Sequence, residues 1–265
     1  MTTVLANGLS HHVQQMPAST GNASITVVCI HGILTDSLAS YYFTLAKPLA
    51  DAGADVFMYD LRGHGRSERP PTGYGLDEFV ADLSALLDEV GISGPVYLVG
   101  NSFGGTVAFS FAARYPDRVA GIAMIESEPA TAAWAEKMTA NLGRAAKQLG
   151  RWDSLVWIRT HYGAHTVRLA RAALKLLNAS SIERDIPASP TLSPEQVRSI
   201  TCPVLAIYGS KSDLAEQAPL LRDEMSNCTT LVIPGQEHSV LIEVPDTVRD
   251  TVLTWLGGRE PAGVR

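Results

Sequence analysis

Leu98-Val99-Gly100-Asn101-Ser102-Phe103-Gly104-Gly105 is the stretch that decides how this chain reads. The apolar run 96–99 leads into it and helical residues 106–115 follow it, so the pattern is strand, sharp turn, helix, with a serine at the apex. Such a turn strains the backbone at its tip and tolerates only small neighbours. Gly100 and Gly104 stand two positions either side of Ser102, where side chains would otherwise collide. The geometry lifts the hydroxyl clear of the sheet. It also aims the first free N–H groups of the following helix at whatever the hydroxyl attacks. Ser102 is the candidate nucleophile.

Working outward, residues 24–30, 55–59, 96–100 and 120–125 are continuous apolar runs rich in β-branched residues, as strands buried on both faces require. Helical spacing separates them, over 40–52, over 75–90 and after Ser102. Asn7-Gly8 predicts a hairpin joining 3–6 to 9–15. After Glu126 the alternation stops. Residues 129–198 hold no strand-like run, and Pro187, Pro190 and Pro194 punctuate their exit. Then 204–208 and 230–233 resume as strands, with helices expected over 214–225 and 245–256. The fold class expected is α/β, a mostly parallel doubly wound sheet with helices on both faces. Residues 1–128 and 199–265 form the core, and 129–198 are a helical cap insertion over the sheet's carboxyl edge.

Composition narrows the partners. The 265 residues are 46% hydrophobic and 18% charged, with net charge −6. Nothing resembles a basic tract for phosphates, so nucleic acid is not expected. Cys29, Cys202 and Cys228 lack metal-ligand spacing, and the first two read as small buried hydrophobes. No metal or cofactor is implied. Residues 1–20 lack the pattern of a signal peptide, and no apolar run is long enough to span a bilayer. The expectation is a cytoplasmic protein with no membrane partner; the oligomeric state is not readable.

A serine hydroxyl needs a base within reach. His238 follows the last strand, and in an open parallel sheet that loop shares the carboxyl edge with Ser102. His31 and His64, wedged beside glycines, read as structural. His161 and His165 in the insertion read as solvated or as lining a pocket, the first favoured, and His11 and His12 as surface residues. Asp60 and Arg62 read as a structural brace, and Asp82 and Asp88 as the polar face of a helix. Trp134, Trp152 and Trp157, all in the insertion, fit either an apolar pocket or packing between helices.

His31-Gly32, Asp60-x-Arg-Gly-His-Gly-x-Ser67, Gly100-x-Ser-x-Gly-Gly105 and Gly235-x-x-His238, in that order, resemble the α/β-hydrolase superfamily over residues 24–126 and 202–257. The resemblance implies a Ser–acid–His triad, with an oxyanion hole from the backbone N–H groups of Ile33 and Phe103. Its usual acid position, three residues after Gly209, here holds Ser212, and Asp213 comes one residue late. Glu126 resembles the acid position of haloalkane dehalogenases and the fungal zearalenone lactonase. The reading leans to Glu126 and keeps Asp213 as the alternative, with Glu128 a remoter one. A serine at the elbow argues against dehalogenase or epoxide hydrolase chemistry. The expected activity is hydrolysis of an ester, lactone or thioester of a small to medium apolar substrate through an acyl-enzyme on Ser102. Alternatives are a carbon–carbon bond hydrolase, a lyase or cyclase in the same pocket, or a slow-turnover ligand receptor.

Overall fold

Apolar β-branched runs become the central strands in the computed structural model, which describes residues 2–259 together with Pro261 and Gly263. The strands are β1 (Thr2–Ala6), β2 (Leu9–Met16), β3 (Ile25–Ile30), β4 (Ala54–Tyr59), β5 (Val96–Asn101), β6 (Val119–Ile125), β7 (Val204–Gly209) and β8 (Cys228–Ile233). They form one eight-stranded sheet in the order β1-β2-β4-β3-β5-β6-β7-β8. All pairings from β4 to β8 are parallel, while β1 and β2 enter antiparallel at one edge. Asn7 and Gly8 both take positive φ (48° and 73°), as the tight hairpin turn requires.

Because neighbouring side chains on a strand face opposite ways, β3 serves two cores. Val28 and Ile30 point into one hydrophobic cluster, and Val27 and Cys29 into the other. The first is covered by α3 (Leu76–Glu89) and α4 (Phe103–Arg114), the second by α1 (Ala39–Tyr42), α2 (Ala46–Asp51) and, after β8, α10 (Val240–Glu243) and α11 (Pro245–Leu256). Between β6 and β7 run α5 (Ala132–Leu149), α6 (Trp152–Ala179), α7 (Ile182–Asp185) and α8 (Pro194–Arg198), and α9 (Gln217–Glu224) links β7 to β8. Within α6 the helix breaks at Gly163, whose φ is 82°.

The structure departs from the sequence reading in several places. The single helix expected over 40–52 is two, α1 and α2. Pro48 has no N–H to donate to the Thr44 carbonyl and its ring crowds that carbonyl, so no continuous helix can run through both. The helix expected from 214 begins at Gln217. His11 and Asp82, expected at the surface, are both buried. β2 pairs with β4, and this brings the face of the hairpin bearing His11 onto α3. Arg62 Nε donates to Asp82 Oδ2 at 2.6 Å, Asn7 Nδ2 donates to Asp82 Oδ1 at 2.9 Å, and His11 Nε2 lies 3.7 Å from that oxygen. Burial opposes ionisation of Asp82, but the His11 and Arg62 partners outweigh it and hold the carboxyl below its usual range. His12, expected exposed, instead contacts Asp60 Oδ2 through Nδ1 at 2.7 Å.

Candidate active site

Parallel register places successive strand ends on one edge. Asn101 pairs with Ile125, Ile125 with Ile207, and Gly209 with Ile233, so the residues just after β5, β6, β7 and β8 converge. Ser102, Glu126, Ser212 and His238 are those residues or close followers.

The turn at Ser102 is as tight as its glycines suggest. A Cβ at Gly100 would lie 2.4 Å from Gly105 Cα, and one at Gly104 would lie 2.0 Å from the Ile30 carbonyl oxygen. Ser102 itself has φ of 50°, a conformation costing a non-glycine residue on the order of 1 kcal/mol or more. Its N–H donates to the Ile125 carbonyl at 2.8 Å, which ties the strained tip to the adjacent strand end.

His238 Nε2 stands 3.1 Å from Ser102 Oγ, and His238 Nδ1 stands 3.2 Å from Glu126 Oε2. Glu126 is fully buried, also with φ of 50°. A buried carboxylate needs partners, and this one has three. The Gly209 N–H donates to Oε1, the Ser212 hydroxyl donates to Oε2 at 2.6 Å, and the imidazole faces Oε2. A hydrogen bond from Nδ1–H to that oxygen selects the tautomer that leaves the Nε2 lone pair toward the serine. Asp213 is exposed at the cavity rim, and among the described residues no hydrogen bond joins it to His238. Glu128 accepts from Lys137 Nζ at 3.1 Å. Burial raises its carboxyl above the usual range, with Lys137 opposing the rise.

Ile33, Phe103 and His238 line the same cavity as the serine. Phe103 opens α4, so its N–H has no carbonyl a turn earlier to meet. On either side of Ile33 the amides are tied down: Gly32 N donates to Asp36 Oδ2 at 2.7 Å, and Leu34 N donates to His64 Nε2 at 2.8 Å. A Cβ at Gly32 would come within 3.3 Å of Ser102 Cβ, so glycine lets this loop lie against the serine. His64 Nδ1 in turn faces the Arg62 carbonyl at 2.8 Å, and His31 Nε2 accepts from Leu61 N at 2.9 Å. Both histidines therefore act as loop fasteners. Ser212 and Asp36 carry contacts the sequence reading did not assign. The only sequence signal for Ser212 was its place where the family pattern sets an aspartate, and Asp36 had none.

A cavity of about 350 Å³ opens over the serine, lined on one side by Ile33, Leu34 and Phe103 and on the other by Trp134, Met138, Leu142 and Ala145 of α5. Trp134 is buried and stacks on Phe103 with ring centroids 6.4 Å apart. Trp152, Trp157, His161 and His165 are exposed and do not line it.

A strained serine between a strand and a helix, a histidine after the last strand and glycine-lined loops around them belong to one architecture, and a family model for the alpha/beta hydrolase fold matches residues 25–245. The chain belongs to the α/β-hydrolase family. This hydrolase is 28% identical over 264 residues to the monoacylglycerol lipase of Mycolicibacterium smegmatis, the match covering 87% of each chain. It is also 28% identical over 234 residues to the 2-(acetamidomethylene)succinate hydrolase of Mesorhizobium japonicum, covering 79% of this chain and 80% of that one. Among solved structures, a thermophilic esterase from Thermogutta terrifontis superposes with a TM-score of 0.75 at 20% identity, over 97% of this chain and 98% of the other. No helix among the described residues is long and apolar enough to cross a membrane.

Proposed function

We propose that this hydrolase cleaves an ester, lactone or thioester of a small to medium apolar substrate through an acyl-enzyme on Ser102. The observation that carries the reading is the unbroken line Ser102 Oγ, His238 Nε2, His238 Nδ1, Glu126 Oε2, with both gaps near 3 Å (3.1 and 3.2 Å). His238 takes the hydroxyl proton as Ser102 attacks the carbonyl, and the Ile33 and Phe103 N–H groups receive the developing oxyanion. Glu126 orients the imidazole and balances its transient positive charge. The imidazolium then protonates the leaving alcohol or thiol as the carbonyl re-forms. A water that gives its proton to His238 next attacks the acyl carbonyl, and collapse returns Ser102 its proton and frees the acid.

The size and lining of the cavity support the substrate class. About 350 Å³ suits a small or medium molecule, and the α5 face presents Trp134, Met138 and Leu142 toward it. In this reading residues 129–198 serve as the cap of a core formed by the rest. The test is release from p-nitrophenyl esters of increasing chain length, with intact mass of the protein quenched during turnover. An acyl adduct on Ser102, lost in Ser102→Ala together with activity, supports the proposal. Full activity in Ser102→Ala sinks it.

A further inference from the structure

The far end of the α5–α6 hairpin carries a surface that the hydrolytic site does not use. Trp152 is 74% exposed, Tyr162 62%, Trp157 52% and Val156 46%. Trp152 and Val156 lie one helical turn apart, and Trp157 stacks on His161 and meets Tyr162 edge-on, so the exposed apolar groups all fall within residues 152–162. Water-facing tryptophans at one tip are unusual where the same chain buries Trp134.

Charge singles out the same hairpin. Residues 143–178 contain seven lysines and arginines and one acid, Asp153, in a chain whose net charge is −6. All seven basic residues are exposed. Arg151 pairs with Asp153, but among the described residues Arg144, Lys147, Arg159, Arg168, Arg171 and Lys175 have no carboxylate partner. The protein is thus acidic elsewhere and strongly basic along this hairpin, which also carries the projecting indole rings.

We infer that this tip docks on an anionic lipid surface, with Trp152, Trp157 and Tyr162 entering the headgroup region and the exposed arginines and lysines of the hairpin meeting lipid phosphates. An indole suits that boundary because its ring is apolar and its N–H stays hydrated. Unpaired basic residues need no internal ion pair broken before they meet phosphate. A second copy of this chain is the poorer occupant, because two such tips brought together would repel. The placement is also useful to the site. The α5 face that walls the cavity ends at Ala145, and four more residues, about 6 Å of helix, reach the turn into the tip. Docking there would hold the cavity beside a lipid reservoir. The inference departs from the expectation of no membrane partner: among the described residues no helix is long and apolar enough to span a bilayer, and the tip would adsorb to its surface instead.

Sedimentation of the full chain with vesicles tests this without depending on turnover, so its failure is separable from failure of the hydrolase reading. The probes are phosphatidylcholine alone and phosphatidylcholine mixed with phosphatidylglycerol. Partition onto the mixed vesicles should be at least about tenfold stronger, and high salt should weaken it. Arg159→Gln with Arg171→Gln, and separately Trp152→Ser with Trp157→Ser, should each lower partition by about tenfold. Hydrolysis of a soluble short-chain ester should stay unchanged in both, which shows that the variants fold. The inference is overturned by equal partition onto both vesicle types, by no binding, or by variants that bind as the parent does. It is also overturned if sedimentation equilibrium shows a dimer that both double variants dissolve.

Discussion

Ser212 donates its hydroxyl to Glu126 Oε2 at 2.6 Å, the same oxygen that faces His238 Nδ1 at 3.2 Å. Ser212 occupies the position after β7 where the family pattern places the acid. Here that position holds a hydroxyl, and the carboxylate that faces the imidazole stands at the end of β6. Two carboxylates so close would repel and one would hold a proton, whereas a hydroxyl supplies a donor and no charge.

Removing that donor leaves Glu126 with the Gly209 N–H and the imidazole. Ser212→Ala should lower kcat/KM for a p-nitrophenyl ester by about tenfold, the scale of one hydrogen bond to a charged group. Rates unchanged within twofold would place Ser212 outside the site's function.

The acid can be identified by exchange. Glu126→Gln should reduce kcat by about 10³–10⁴-fold, because an amide no longer balances the imidazolium or enforces its tautomer. Asp213→Asn should change kcat less than about threefold, since an exposed rim carboxylate makes no bond to His238. The opposite pattern would assign the role to Asp213.

Gly104→Ala probes the elbow by sterics alone. Its Cβ would meet the Ile30 carbonyl oxygen at 2.0 Å, and a backbone group cannot swing away. Overpacking of this kind costs about 3 kcal/mol or more. A fall of at least several degrees in Tm by calorimetry is expected.

His64 makes stability depend on pH. Burial, followed by the nearby His31, lowers its pKa from 6.5 to about 3. Above about 6.5 both states leave it neutral. Below that value the unfolded chain takes up a proton that the folded chain refuses, so stability falls as pH drops from 6.5 toward 3. Urea unfolding of wild type and His64→Gln across pH 4–7 should differ in slope by at most about 1.4 kcal/mol per pH unit, the wild type being steeper. Because His64 Nε2 accepts from Leu34 N beside Ile33, the variant should also lower kcat more than it raises KM. Parallel stability profiles would falsify the assignment.

Arg62 and Asp82 show what sequence patterns miss. Asp82 falls on the polar side of a helical repeat, so a periodicity argument sends it to water. The β1–β2 hairpin covers that side of α3, and Arg62, whose side chain is 4% exposed, then answers the buried carboxylate. Arg62→Met would strand it and should destabilise the fold by about 3–5 kcal/mol in urea unfolding.

The strands, the serine elbow and the order of serine before histidine were legible because they depend on local rules: apolar runs, glycine at crowded turns, alternation of strand and helix. Parallel register then obliges the ends of β5 and β8 to share an edge. The choice between Glu126 and Asp213 was not legible. It turns on an ångström or two between loops after different strands, and one chain's order of residues carries no such distance. The histidines divide in the same way. His31 and His64 stand beside glycines that already mark tight loops. His11 is buried only because a hairpin far from α3 in sequence folds down upon it. Local backbone chemistry determined the fold and the perch of Ser102, whereas packing between distant segments decided which carboxylate faces the imidazole and which charges lie inside.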